Sequence, residues 1–483
     1  MDGAGKHGAG AMTASSGDDR ARSMSGSDDG AAPITADRPQ TAAAGASQPE
    51  TPPPMSGAMA LSLRISAMFG ALFLAYGVVV PYFPVWLDAR GLDPLQISTV
   101  VSAPLFIRLL VTPGVGLLAD RLGNYRLVIT VLASLALSML LVLTVASGYG
   151  PILIIGVAFL LANGTIMPLV ETVAVRAVRA EKLDYGRMRL WGSVTFIVAN
   201  FGGGIAIEAW GGDVALWLMI AASTATIAAA LMLPRTPSNP VQQAAPESFP
   251  ARTEQPTNAA SKDCPAAGEG HGATARDWRQ TAPAQLLKSR LFVLFLIAIG
   301  CTHGAHATFY TFGALYWQSQ GMPAAWVGTL WAIAVSAEVL LFAYSAPFVR
   351  RIGPAGLIVT GAAAAVVRWT AMAFDPPLAI LVPLQASHAL TYGASHLGAI
   401  LFIARAVPHK GMGSAQAFYS TMAAGLMVGT VGLVSGALYT QLGGQVFVIP
   451  AVVAAFGLIA ALLLLRGWNG HPLWDDHEDA ISP

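Results

Sequence analysis

Ionisable side chains that could move protons stand in the middle of long apolar stretches of this sequence. They are Glu338, Arg108, Arg368, His306, His388 and His396. An ionisable group at mid-depth in a membrane costs a few kcal/mol on insertion scales, so it marks a functional site by default. A carboxylate can load and release a proton, and histidine titrates near neutral pH. We therefore interpret Glu338, with Arg368 as its partner from the next helix and the three histidines as relays, as a proton-coupling site.

Each of these assignments has an alternative. Glu338 and Arg368 could form a static ion pair, Arg368 could extend outward toward the lipid headgroups, and a buried histidine can be a packing residue. Arg108 offers a planar fork for a substrate carboxylate, although it could instead pair with an acid of the protein. His303 and His306 have metal-ligand spacing, but no acidic or cysteine ligand set accompanies them. We expect neither a metal nor a cofactor.

Aromatic residues near these positions could line a substrate chamber. Tyr310 follows His306 by four residues, hence on the same helix face, and Tyr76 and Trp331 lie in neighbouring apolar runs. We assign Tyr76, Tyr310 and Trp331, with Arg108, to substrate binding. Aromatics also form belts at membrane interfaces, which is the structural alternative.

Composition places these residues in a membrane protein. The 483-residue chain is 54% hydrophobic and 11% charged, with a mean hydropathy of +0.58. A soluble domain carries roughly 25% charged residues. A net charge of +1 argues against a nucleic-acid partner.

Apolar spans follow the pattern six, linker, six. The predicted spans are 63–87, 95–118, 127–146, 152–175, 190–207, 214–233, 291–317, 324–349, 355–373, 378–404, 415–439 and 446–465. We expect an all-α fold of twelve transmembrane helices in two pseudo-symmetric bundles. The expected domains are a disordered cytoplasmic tail (1–58), a first bundle (59–233), a flexible cytoplasmic linker (234–290), a second bundle (291–467) and a cytoplasmic tail (468–483).

Lys and Arg cluster in alternate loops, which sets the orientation. They occupy the turns after the second, fourth, eighth and tenth spans, while the other side carries only Arg90. Both termini and the linker are therefore predicted to be cytoplasmic, in a cell (inner) membrane protein that we expect to be monomeric.

The two halves resemble each other. Residues 75–123 match residues 305–353 at a constant shift of 230 without a gap. The matched positions include Gly91 with Gly321, Gly123 with Gly353, Arg108 with Glu338, and Tyr76 with His306. Transporters built from such repeats hold their substrate between the repeats near the midplane. Arg108 and Glu338 are thus expected to face each other across a central cavity.

Two motifs carry a family resemblance. Gly116-Leu117-Leu118-Ala119-Asp120-Arg121-Leu122-Gly123 resembles the loop signature of the major facilitator superfamily. The chain also resembles the phenylpropionate permease family, which is itself similar to oligosaccharide and nucleoside proton symporters. This resemblance is carried by Leu183-Asp184-Tyr185-Gly186-Arg187-Met188-Arg189-Leu190-Trp191-Gly192-Ser193, with Gly304-Ala305-His306-Ala307 and Val367-Arg368-Trp369. The resemblance implies the major facilitator fold and proton symport. We assign Gly116, Asp120, Arg121, Gly123, Glu171 and Arg189 to a cytoplasmic gate.

The sequence thus predicts a transporter, not an enzyme, with a small molecule and protons as its partners in the bilayer. The preferred function is proton-coupled uptake of a small organic anion, most simply an aromatic acid such as a phenylpropionate-like compound. A sugar or nucleoside symporter and an efflux antiporter are the alternatives. The sequence has no nucleophile–base set or extramembrane domain that would support catalysis.

Overall fold

A computed structural model describes residues 57–234 and 281–474, all of which lie in one compact unit. Most of the predicted N-terminal tail, most of the central linker and the end of the C-terminal tail fall outside these residues. Within the described ranges the chain is helical and contains no strand.

Six helices form the first half. They are α1 (Gly57–Ala89), α2 (Pro94–Leu122), α3 (Tyr125–Leu143), α4 (Tyr149–Glu181), α5 (Tyr185–Trp210) and α6 (Val214–Met232). Short polar caps separate them. Asp93 and Gln96 form a capping box before α2, while Asn124 and Asp184 accept the backbone N–H of the third residue of α3 and α5.

The second half is more interrupted. It consists of α7 (Ala282–Lys288), α8 (Arg290–Gly304), α9 (Ala307–Ser319), α10 (Ala324–Ala343), α11 (Ala346–Met372), α12 (Leu378–Ala386), α13 (Ser395–Ala406), α14 (Met412–Thr421), α15 (Met427–Leu442) and α16 (Val448–Gly467). Two π-helical segments, Ala389–Ala394 and Met422–Leu426, join α12 to α13 and α14 to α15.

Ten helical stretches in the described ranges are long and apolar enough to cross a membrane. One of them, His409–Gly467, contains two passes, and α12 with α13 supplies a further pass, so the fold has twelve crossings. Four predicted spans need correction. The seventh breaks at Ala305 and His306, and the tenth and eleventh each contain a π-segment. The eighth ends at Ala343, where Tyr344 and Ser345 separate α10 from α11, and α11 is itself kinked at Gly353 and Pro354.

Turn glycines agree with the predicted repeat. Gly91 and Gly321, which the repeat pairs, have φ values of 79° and 82° in the turns before α2 and α10. Gly123 and Gly353, a second predicted pair, have φ values of 62° and 67°. A positive φ is open to glycine at little steric cost, so the two halves use the same residue at the same points of the fold.

The two halves share an apolar core toward one end of the helices and have separate cores toward the other end. We call the side of the α2–α3, α4–α5 and α10–α11 turns the basic side, and the other the opposite side. Toward the opposite side one apolar core contains residues of both halves, such as Tyr82, Trp86, Phe309 and Trp331. Toward the basic side each half has its own core, one around Phe69 and the other built of residues such as Phe295 and Phe402. The halves therefore meet on the opposite side.

Candidate functional site

A buried polar network in the second half contains the predicted acid. The Glu338 Oε2 atom on α10 lies 3.4 Å from His388 Nε2, and His388 Nδ1 lies 3.1 Å from an Arg368 terminal nitrogen on α11. The direct Glu338–Arg368 pair suggested by the sequence is not formed, because His388 stands between the two. The π-helical segment that follows His388 interrupts the α-helical hydrogen-bond pattern at this point.

Arg368 is fully buried, which excludes its extension toward the headgroups. Its guanidinium donates to Gln385 Oε1 at 2.7 Å and to Thr391 Oγ1 at 3.2 Å, and it lies 4.6 Å from the centre of the Trp369 ring. Within the described ranges no carboxylate lies within 4.0 Å of it. A neutral polar cage with an aromatic face thus holds this cation.

Hydrogen bonding fixes the tautomers of two histidines. His306 Nδ1 lies 3.1 Å from the Thr302 carbonyl, so Nδ1 carries the proton and Nε2 accepts from the Thr391 hydroxyl at 3.0 Å. His388 Nδ1 accepts from Arg368, so Nε2 carries the proton and faces Glu338. The three hydrogen bonds that link His388, Arg368, Thr391 and His306 then each have one donor and one acceptor, and Glu338 joins this chain through its 3.4 Å approach to His388 Nε2.

His396 is connected less directly than the sequence predicts. Its Nδ1 atom is 2.6 Å from the Tyr419 hydroxyl, and no hydrogen bond joins it to Glu338 or Arg368. It reaches the network only by ring contact, because Tyr392 stacks between His388 and His396 with centroid distances of 5.4 and 6.0 Å.

Two cavities lie where the halves face each other. The apolar cavity, about 200 Å³, is lined by Arg108, Tyr76 and Tyr310 among mostly apolar side chains of both halves. The polar cavity, about 360 Å³, is lined by Glu338, His388, Arg189, Trp331, Tyr392 and Phe73, among others. Tyr76, Val80 and Tyr310 line both cavities. All four predicted substrate residues therefore face a cavity, Trp331 only the polar one.

Arg108 and Glu338 do not share a cavity, contrary to the repeat-based expectation. Arg108 lies in the apolar cavity, and one of its terminal nitrogens is 3.4 Å from the Ala424 carbonyl of the other half. The cation that shares the polar cavity with Glu338 is Arg189, which the sequence assigns to the gate. Arg189 lies 3.8 Å from the centre of the Phe73 ring and makes no hydrogen bond or ion pair with any described residue.

The other predicted gate residues lie at the basic side. Asp120 accepts from Arg176 at 3.0 Å and from the Tyr125 hydroxyl at 2.5 Å, and the Arg176 guanidinium stacks over the Tyr125 ring. Glu171 makes no ion pair in the described ranges, so it does not join Asp120. Arg121 is exposed, whereas Gly116 and Gly123 are half-buried beside it.

Sequence reasoning missed Gln385, Thr391 and Tyr392. Gln385 and Thr391 stand three residues before and after His388, on one helix face, so their spacing was an available signal. Among the described residues, His303 is not part of any group of three or more His, Cys, Asp or Glu side chains placed to hold a metal ion. Its Nε2 atom lies 2.9 Å from Ser395 Oγ.

Comparison with known proteins decides the family. The model of the MFS_1 like family matches residues 62–449. The chain belongs to this family.

Named relatives of this MFS_1 like protein are transporters. It is 30% identical over 387 residues to the "Probable 3-phenylpropionic acid transporter" of Escherichia coli (strain K12), covering 79% of this chain and 92% of that protein. It is 25% identical over 416 residues to the "Maltose permease" of Geobacillus stearothermophilus, covering 85% and 96%. The crystal structure of nucleoside transporter NupG matches with a TM-score of 0.66 at 16% identity, over 85% of this chain and 100% of that one, and this likeness shows the fold.

The family resemblance and the twelve-helix major facilitator fold predicted from the sequence are confirmed. The MFS_1 like protein is a multi-pass membrane transporter for a small molecule and not an enzyme.

Proposed function

We propose that this transporter is a proton-coupled symporter that takes up a small organic anion with an aromatic group by alternating access. The observation that carries the proposal is the polar cavity between the halves. One half supplies an acid, Glu338, backed by His388 and Arg368, and the other supplies an unpaired cation, Arg189. An unpaired guanidinium fork matches a carboxylate.

The remaining lining fits an aromatic ring. Phe73, Tyr76, Phe196, Phe309, Tyr310 and Trp331 all contribute to the polar cavity. Aromatic faces favour offset or edge-on contact with another ring and exclude water. The volume of about 360 Å³ falls within the range of roughly 300–1,000 Å³ that small-molecule pockets occupy.

Proton coupling follows from the position of Glu338. A carboxylate at Glu338 repels a substrate anion in the same cavity, whereas the protonated acid does not, so proton and anion bind together. His388 and Arg368 give the acid a polar path into the second half. Release of the proton and the substrate anion on the basic side then lets the empty transporter return to the conformation that is open on the opposite side.

The same proposal covers the placement of the chain. We propose a cell (inner) membrane protein with both termini cytoplasmic, acting as a monomer, with the bundles 59–233 and 291–467 joined by the linker 234–290. The basic side is then the cytoplasmic side, so the described conformation is closed to the outside. The predicted gate residues at the basic side, among them Asp120 with its ion pair to Arg176, then control access from the cytoplasm.

The test is transport by purified protein in liposomes with labelled 3-phenylpropionate. An inward proton gradient should drive accumulation in the wild type, and Glu338→Gln should abolish accumulation while leaving substrate exchange. Glu181→Gln, which changes an exposed acid at the end of α4, serves as the matched control. Accumulation that persists in Glu338→Gln would remove the acid from coupling.

The alternatives are arms of the same assay. The maltose permease relative favours a sugar as the second candidate, so labelled maltose and uridine are offered under the same gradient. Accumulation of either, without 3-phenylpropionate uptake, replaces the proposed substrate. Loss of preloaded 3-phenylpropionate against its gradient, driven by proton entry, would identify an efflux antiporter.

A further inference from the structure

A positively charged cleft lies outside the transport cavities, on the basic side of the first half. It has a volume of about 560 Å³ and is lined by Arg64, Arg126, Leu231, Met232, Leu233 and Pro234. Arg64 projects from the second turn of α1, and Arg126 from the first turn of α3. The last turn of α6, which packs against both helices, forms the rest.

Among the residues that the structure describes, the two guanidinium groups have no anionic partner. Arg126 donates to the Leu233 carbonyl at 3.1 Å, which ties α3 to the end of α6 and leaves its other donors available. Arg64 makes no hydrogen bond or ion pair within residues 57–234 and 281–474. Neither arginine lies within 4.0 Å of a described carboxylate. Two cations beside one cleft attract an anion, and guanidinium forks match phosphate oxygens.

The border of the cleft is apolar and faces outward. Leu63 and Leu127, the chain neighbours of the two arginines, are 55% and 49% exposed, and Leu231 and Met232 are 51% and 50% exposed. In a helix bundle within a bilayer, exposed apolar side chains of this kind meet the acyl chains. Cationic donors therefore stand directly beside a lipid-facing apolar surface.

We infer that this cleft binds the phosphate of an anionic phospholipid such as phosphatidylglycerol, with the acyl chains along Leu127 and Leu231. Basic pockets between transmembrane helices are a known arrangement for acidic headgroups. A free phosphate ion offers the same oxygens but gains nothing from the apolar border. The inference is independent of the substrate and of the proposed coupling.

Native mass spectrometry of the full-length, delipidated protein tests it. Phosphatidylglycerol is titrated against phosphatidylcholine, and inorganic phosphate is added as a competitor. Wild type should retain phosphatidylglycerol preferentially, and Arg64→Gln/Arg126→Gln should lower its affinity roughly tenfold or more. Arg350→Gln/Arg351→Gln, which removes two exposed charges from the same side, should leave affinity within about twofold of wild type.

Single variants guard against loss of the fold, because Arg126 also bonds to α6. Arg64→Gln breaks no hydrogen bond or ion pair among the described residues and should weaken phosphatidylglycerol binding severalfold, while Arg64→Lys should keep most of the affinity. Unchanged binding in Arg64→Gln, or an equal loss in the Arg350/Arg351 variant, overturns the inference. Equal competition by millimolar inorganic phosphate overturns the lipid assignment in favour of a phosphate site.

Discussion

Gly204 lies at a close contact between α5 and α10, where the two halves meet, and replacing it should open the opposite side. A Cβ atom at Gly204 would lie 2.4 Å from the Ala324 carbonyl oxygen. Carbon–oxygen contacts settle at roughly 3.3 Å, so α5 and α10 must separate by about 1 Å. Over-packing of this size costs about 1–3 kcal/mol. If the conformation that is open on the opposite side lacks this contact, the equilibrium between the two conformations shifts toward the open one by a factor of roughly 5–150.

Distance measurement by double electron–electron resonance detects the shift. Spin labels at Trp210→Cys and Trp326→Cys, in a background without Cys264 and Cys301, report the spacing of α5 and α10 at the opposite side. Gly204→Ala should add a population with a longer distance. Gly202→Ala is the matched control, because its Cβ would meet nothing within 4 Å on the same helix.

An unchanged distance distribution in Gly204→Ala, in protein that remains folded, would refute the reasoning. It would mean that α5 and α10 absorb the added methyl locally and that this contact does not report on the conformation. Gly328→Ala provides a reciprocal check from the other helix, since its Cβ would lie 2.2 Å from the Asn200 carbonyl oxygen.

Two further changes separate gating from substrate binding. Glu208→Gln weakens the 3.0 Å hydrogen bond from the Ala325 backbone N–H to the Glu208 carboxylate, which is worth about 1 kcal/mol at an exposed helix start. The same spin labels should therefore show the longer distance in a smaller fraction of molecules than in Gly204→Ala, and Asp213→Asn should not show it. Arg189→Ala should weaken 3-phenylpropionate roughly tenfold more than neutral 3-phenylpropionamide in a binding assay; an equal loss for both would exclude a carboxylate contact.

The fold was predictable because membrane spans and repeats leave strong local signals. Apolar runs gave the crossings, and the constant shift between the halves paired the turn glycines correctly. The helix breaks at His306 and after His388 were not predictable, because both interrupted segments contain enough apolar residues to resemble continuous spans. At the first break His306 donates to the Thr302 carbonyl of the preceding turn and accepts from the Thr391 hydroxyl, and the second of these bonds depends on a neighbouring helix.

Part of the membership of the candidate site was predictable, but its pairing was not. A charge within an apolar span identifies Glu338, Arg108 and Arg368 one at a time, because each is costly alone. Which cation meets which acid depends on helix rotation and on the π-segment after His388, and a repeat alignment contains neither. The prediction therefore paired Glu338 with Arg368 directly and set Arg108 opposite Glu338, where the structure has His388 and Arg189.

The neighbours of Glu338 in the structure, His388 and Arg189, affect how proton coupling would work. Arg368 is held by neutral groups, so its charge persists whether or not Glu338 carries a proton. The variable charge in the polar cavity is then Glu338 alone, facing the constant charge of Arg189 from the other half. When Glu338 is ionised, it attracts Arg189 across the gap. When Glu338 is protonated, Arg189 is left for a substrate anion. Under the proposed symport, one proton would thus decide whether the two halves bind each other or the substrate.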